Sequence, residues 1–168
     1  GEYGNAILSK FPLHVRRAGL LPQCEGKEQR SALWCEVDCE GELYQLFNTH
    51  FGLSLKERKL QAEELLGPLW LGAAGGRVVL CGDLNAAPSS SIYRLFASAL
   101  QDVQLLPGGG AQPTWSSLYP LRRIDHIFIS ADLRVREVRV PRDPLTVRAS
   151  DHLPVIAELT MQRSSGEI

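Results

Sequence analysis

Four short stretches set acids, amides and imidazoles where apolar runs begin or end. Phe47-Asn48-Thr49-His50 closes one run with a histidine two residues past an asparagine. Val78-Val79-Leu80-Cys81 passes into Gly82-Asp83-Leu84-Asn85, Arg123-Ile124-Asp125-His126-Ile127-Phe128 holds an acid inside an apolar strand, and Ala149-Ser150-Asp151-His152-Leu153-Pro154-Val155 opens a last strand with an Asp-His pair. Chains that build sites on sheets often put polar side chains at strand ends, so the four together suit a site better than chance. Asp83 and Asn85 face the same way if the strand stays extended, which sets a carboxylate and an amide at the carboxyl end of a core strand. An Asx turn closing the strand explains the same two residues. The acid in Ile-Asp-His-Ile is more telling, because a buried carboxylate needs a partner.

The bulk of the chain narrows the setting. Its 168 residues suffice for one well-cored domain, and 44% hydrophobic with 22% charged residues is ordinary globular composition. No apolar run reaches membrane-spanning length. A formal net charge of -1 provides no global field toward nucleic acid, which argues against a tight sequence-independent DNA binder. The four cysteines form no C-x-x-C or Cys/His pattern. Cys35 and Cys39 share a strand face roughly 13 Å apart, too far to bridge. Free thiols fit a reducing compartment, and the expectation is a cytoplasmic chain.

Elements that position these residues are legible from periodicity. Ala6-Ile7-Leu8-Ser9 reads as a short strand, and another is expected around Ala18 to Cys24. Ser31 to Cys39 alternates as a half-buried strand, turns at Gly41, and returns over Leu43 to His50 as an antiparallel partner. Ser54 and Glu57 form a capping box before a helix with the stripe Ala62, Leu65, Leu66 and Leu69, which Gly67-Pro68 kinks or ends. The Val78 strand follows. Serines 89 to 91 cap a second helix with the stripe Ile92, Leu95, Phe96 and Ala99. Pro107 to Ala111 is a glycine-rich loop, and Pro107 to Trp115 carries no readable chemistry. Strands at Ile124 to Ser130, Leu133 to Val140 and Leu153 to Thr160 follow, the last closing the sheet. A disordered tail is expected over Arg163 to Ile168. Strands interleaved with two helices predict an α/β or α+β layered domain over residues 1–162.

Taken in order, Asn48-Thr49-His50, Gly82-Asp83-Leu84-Asn85, Arg123-Ile124-Asp125-His126-Ile127 and Ser150-Asp151-His152-Leu153-Pro154-Val155 resemble the motif series of the endonuclease/exonuclease/phosphatase superfamily. That superfamily includes deoxyribonucleases, apurinic endonucleases, sphingomyelinases and inositol-polyphosphate phosphatases. Gly4 to Pro12 resembles a further stretch of its bacterial members. The resemblance implies a four-layered α/β/β/α sandwich and Mg²⁺-dependent phosphoester hydrolysis (Mn²⁺ being the other candidate) by in-line attack of water. A hard cation is needed because the anionic ester repels the nucleophile. By the same resemblance His152 pairs with Asp125 and serves as base or as donor to the phosphoryl oxygen. Asp83 orients the nucleophile or lies near the metal, Asn85 bonds the phosphoryl group, His50 assists the leaving group or steadies the phosphate, and Asp151 is a metal-side carboxylate. The implied partner is a phosphoester: nucleic acid, phospholipid or a small molecule. His126 alternates away from Asp125 and reads as structural. Asn5 faces the phosphate or starts a strand. Arginines 134, 136, 139, 142 and 148 are a basic rim or a solvated edge.

The family pattern also implies an asparagine and a glutamate on the first strands, and neither motif is visible here. Glu2 is the only acid before the Ala6 run. The expectation is therefore an N-terminally incomplete domain, its C-terminal two-thirds. Weak metal binding, weak or no turnover and self-association through sheet edges would follow. The alternative function is a catalytically impaired piece that binds a phosphate ligand or a protein.

Overall fold

The protein is described by a computed structural model over residues 4–161. Glu2 and the predicted tail at 163–168 lie outside the described residues. Six strands form the main sheet in the order β1-β2-β3-β4-β6-β5: β1 Leu13–Leu20, β2 Ser31–Cys39, β3 Glu42–His50, β4 Arg77–Asp83, β5 Gln101–Asp102 and β6 Asp125–Ile129. A second sheet pairs β7 Leu133–Arg139 with β8 Ile156–Met161. The helices are α1 Leu55–Leu66, α2 Ser91–Ala97 and α3 Pro144–Ala149.

The two sides of the main sheet are covered differently. Phe47, Leu80 and Phe128 pack with Leu65 of α1 and Ile92 and Phe96 of α2 in one core. On the other side Val79, Ile127 and Ile129 meet Leu133, Val138, Ala157 and Leu159 of the small sheet. Helices, main sheet and small sheet are three of the four expected layers among the described residues.

Strands β2 and β3 pair antiparallel, as expected. The middle of β2 is buried on both faces, with Ala32 and Trp34 on one and Cys35 and Val37 on the other. All four cysteines are free. Helix α1 crosses over from β3 to a parallel β4, a βαβ unit with the apolar β4 at the centre of the sheet. Only half of the α1 capping box forms. The Ser54 hydroxyl accepts from the Glu57 amide at 3.2 Å, whereas the Glu57 side chain is buried against Gly52. The helix stops at Leu66 with Gly67 as its cap, and Leu69 falls beyond it, exposed. In α2 the Ser90 hydroxyl accepts from the Tyr93 amide, and Tyr93 joins Ile92 and Phe96 in the core. Leu95 and Ala99 of the expected stripe are instead exposed.

Three strand expectations are corrected. Ala6-Ile7-Leu8-Ser9 is irregular, with Leu8 97% exposed. Side-chain amides hold it in place of a ladder: Asn48 Nδ2 donates to the Ala6 carbonyl and Asn5 Nδ2 to the Ser31 carbonyl, both at 2.8 Å. The strand expected at Ala18 to Cys24 lies earlier, at Leu13–Leu20, and stops short of Pro22, which has no amide to donate. Leu153 to Thr160 does not close the main sheet. Strand β6 already has β4 on one side and β5 on the other, so β8 pairs with β7 instead. Helix α3 carries no apolar period and went unanticipated; Asp143 caps it in a capping box with Thr146, ahead of Pro144.

Candidate active site

Register brings the polar residues abreast. In the parallel β3–β4 pair His50 lies opposite Asp83, and in the antiparallel β4–β6 pair Asp83 lies opposite Asp125. Three neighbouring strands therefore end at one level with an imidazole and two carboxylates. Gly82 makes this closeness possible. At φ +153° a Cβ there would overlap the Thr49 carbonyl oxygen, so no other residue permits β3 and β4 to approach as they do.

Past Asp83 the strand ends in the Asx turn that its composition allowed. The Asn85 amide donates to Asp83 Oδ1 at 2.7 Å, and Asn85 takes a left-handed φ of 49°. The turn and the site are one structure rather than rival readings. It is the turn that aims Asn85 at the cleft, with Nδ2 donating to the Phe51 carbonyl at 2.9 Å. Loop 114–117 holds the last pair of motif residues. The Leu153 amide donates to the Thr114 carbonyl and the Ser117 amide to the Asp151 carbonyl, both at 2.8 Å, and Trp115 bridges His152.

His152 Nδ1 lies 2.9 Å from Asp125 Oδ2, and the Thr114 hydroxyl donates to the same oxygen. His152 Nε2 faces Asp83 Oδ2 at 3.9 Å, and His50 Nε2 approaches that oxygen from the other side at 3.3 Å. All six predicted site residues (His50, Asp83, Asn85, Asp125, Asp151 and His152) line one open cleft of about 640 Å³. Arg30, Leu53, Trp115 and Arg122 line it too. None of these four was singled out from sequence, and neither was Thr114. Thr114 and Trp115 fall in the stretch that carried no readable chemistry.

Electrostatics separates the three titrating groups. Burial raises the Asp83 carboxyl; the Asn85 amide pulls it back and Asp125 pushes it up again, with a net position of about 6. Burial lowers His50 to about 4, helped by the positive charges of Arg30 and His152. The His50–Asp83 contact is thus a neutral imidazole beside a carboxylate at pH 7, not an ion pair. Burial also works against a charged His152, but the Asp125 hydrogen bond and the Asp125, Asp83 and Asp151 charges outweigh it and raise its pKa. Ligand atoms of Asp83, Asp125 and His152 lie within 4.8 Å of one another, a candidate cation cluster. Its two hard carboxylates, one of them displaced upward by burial, are what a divalent cation would relieve. Asp151 lines the same cleft in an exposed position outside that cluster.

His126 is structural, as its alternation implied. It is 2% exposed, with Nε2 2.8 Å from the Ala86 carbonyl oxygen and Nδ1 3.6 Å from Asp102. Asn5 serves the start of β2 rather than the cleft. Arg136 and Arg139 pair with Glu158 and Glu137 on the small sheet, the solvated alternative.

The profile of the Endonuclease/Exonuclease/phosphatase family matches residues 1–152. The chain belongs to this family. Among solved structures it is similar to the family protein from Bacteroides vulgatus, with TM-score 0.71 and 19% identity over 89% of this chain and 67% of that one. The Bacteroides thetaiotaomicron mannosyl-6-phosphatase Bt3783 gives TM-score 0.70 and 22% identity over 89% of this chain and 67% of that one. The family protein from Beutenbergia cavernae gives 0.72 and 25% over 91% of this chain and 46% of that one. The chain thus spans about two thirds, or less, of these proteins. Among curated proteins no sequence matches it. No helix among the described residues is long and apolar enough to cross a membrane.

Proposed function

We propose that this chain carries the site of a divalent-cation-dependent phosphoesterase, with Mg²⁺ as the cation. The observation that carries the reading is the Asp125–His152 pair at 2.9 Å, with His152 Nε2 turned to Asp83 across an open cleft. Asp125 fixes the tautomer with the proton on Nδ1, which leaves Nε2 to take a proton from an attacking water. Asp83 orients that water through its second oxygen. Asn85 offers its remaining amide hydrogen to a phosphoryl oxygen, and neutral His50 steadies the leaving side. Asp83 and Asp151, with Asp125 beside them, would hold the cation, whose chemistry is to neutralise charge on the phosphoryl oxygens.

A second reading has its own support. Asp125 Oδ2 is already engaged by His152 and Thr114, so few carboxylate oxygens remain for a cation, and the cleft then binds a phosphate ligand without turnover.

Calorimetric titration with Mg²⁺, run beside plasmid DNA, phospholipid and a small phosphodiester as substrates, separates the two. Hydrolysis lost in both Asp83→Asn and His152→Ala supports the phosphoesterase. Turnover indifferent to both substitutions sinks it, and binding without turnover supports the second reading.

A further inference from the structure

Exposed apolar side chains are not scattered evenly on this surface. Of the six most exposed among the described residues, Leu121 (85%), Tyr119 (78%), Leu145 (77%) and Leu53 (73%) lie in segments that border the cleft. Leu118, at 60%, joins them. Leu118, Tyr119 and Leu121 occupy an exposed loop whose base is pinned: the Leu121 and Arg122 amides both donate to the Trp115 carbonyl at 2.8 Å. Leu145 lies on α3, which runs directly into Ser150, Asp151 and His152 of the cleft. Loop and helix are tied together. Arg142 donates to the Ser117 and Leu118 carbonyls, and Ser117 Oγ reaches the Val147 carbonyl at 3.4 Å.

The charges among these apolar residues are mostly positive. Arg122 stacks over Trp115 at 5.4 Å, Arg142 bonds only carbonyls, and Arg148 is exposed on α3. None of the three stands in an ion pair among the described residues. Two acids are nearby: Asp143 is turned onto the amides of Leu145 and Thr146, and Asp151 faces the cleft. Leucines and a tyrosine flanked by arginines are the composition of a surface that sits at a lipid–water boundary, apolar groups entering the acyl region and guanidinium groups staying at the headgroups. A solvated loop gains nothing from Leu118, Tyr119 and Leu121 together.

We propose that loop 116–121 and α3 dock onto an anionic lipid bilayer, which sets the cleft against the headgroups and makes a phospholipid its phosphoester. The substrate class rests on the phosphoesterase reading, whereas the docking does not. Arginines at the rim complement the anionic surface, and the apolar tip supplies the part of the affinity that salt does not screen.

Co-sedimentation with phosphatidylcholine vesicles, with and without phosphatidylserine, tests it. The chain is expected to pellet with the phosphatidylserine vesicles. The combined variant Leu118→Ser, Tyr119→Ser, Leu121→Ser, exposed positions that leave the core intact, is expected to bind at least about tenfold more weakly, about 1.4 kcal/mol. Leu145→Ser is expected to weaken binding in the same direction. Asp83→Asn is expected to retain vesicle binding, so a failed hydrolysis reading leaves this result standing. A chain that stays in the supernatant with both vesicle types overturns the proposal, as does binding unchanged in the triple variant. Concentration-dependent dimers that dissociate in that variant, without vesicle binding, assign the surface to a second copy and overturn it as well.

Discussion

His126 Nε2 lies 2.8 Å from the carbonyl oxygen of Ala86, the residue that follows Asn85. A fully buried ring on β6 thus holds the far end of the turn that presents Asp83 and Asn85. Behind His126 is a second buried carboxylate, Asp102, which receives Arg123 Nη1 at 2.6 Å and the Tyr93 hydroxyl at 2.8 Å. The site is therefore two layers deep, with proton-handling groups at the cleft and a polar cluster beneath that fixes their backbone.

That cluster makes stability depend on acid. Burial pushes Asp102 up, but the His126 ring 3.6 Å away and the bonds from Tyr93 and Arg123 overcome it and hold the carboxyl at about 2 instead of 3.8. A depressed carboxyl stabilises the fold above its unfolded value, and this contribution is lost as pH falls through the folded value. About 2 kcal/mol should disappear between those two limits. Asp102→Asn is expected to flatten this part of the stability–pH curve. It should also cost about 3–5 kcal/mol at neutral pH, because Arg123 is left buried without its partner. Urea unfolding across that range checks both outcomes.

The site carries the opposite sign. Asp83 is raised to about 6, so its ionised form destabilises the cation-free fold above that pH. Asp83→Asn is expected to raise the stability of the cation-free chain at pH 7 by about 1–3 kcal/mol, while hydrolysis falls. The substituted amide retains an Oδ1 to accept from Asn85. An Asn variant less stable than wild type in chelator-treated samples would contradict this origin of the shift.

The same position governs cation binding. Below about pH 6 a proton occupies Asp83, and a divalent cation must displace it. Mg²⁺ affinity is expected to fall with decreasing pH below that value, up to about tenfold per unit. Above it, His50, at about 4, is already neutral, and the rise that remains follows loss of the proton from His152, whose pKa is raised and whose Nε2 lies 3.9 Å from Asp83. Calorimetry between pH 5 and 8 reads this directly, with those limits chosen around the shift. An affinity independent of pH would remove Asp83 from the cation site.

How much of this was readable before the fold was known differs from residue to residue. Asp83, Asp125 and His50 were legible because each ends or interrupts an apolar run, a pattern that burial cost forbids without a purpose. Their alignment was not legible. It depends on a parallel register between β3 and β4 across an α1 crossover, and sequence spacing carries no register. Thr114 and Arg30 escaped for another reason: each sits in an irregular or strand-start position where a polar residue is ordinary. The strand expected at Ala6 to Ser9 failed because apolar composition was read as a ladder, whereas side-chain amides from Asn5 and Asn48 take that role.

The proton-transfer assignment makes the most direct claim on activity. The Asp125 bond raises His152 above 6.5, and a base must be neutral to act. Hydrolysis is therefore expected to rise with pH through a limb above that value. Asp125→Asn removes the charge that supports the imidazolium, so the limb should move to lower pH. The plateau should drop about 10²- to 10⁴-fold, because an amide in place of the Asp125 carboxylate no longer fixes the tautomer. His152→Ala should abolish the limb altogether with a loss of similar size. Rate–pH profiles at saturating Mg²⁺ decide the matter, and a limb that stays in place in Asp125→Asn assigns the titration to another group.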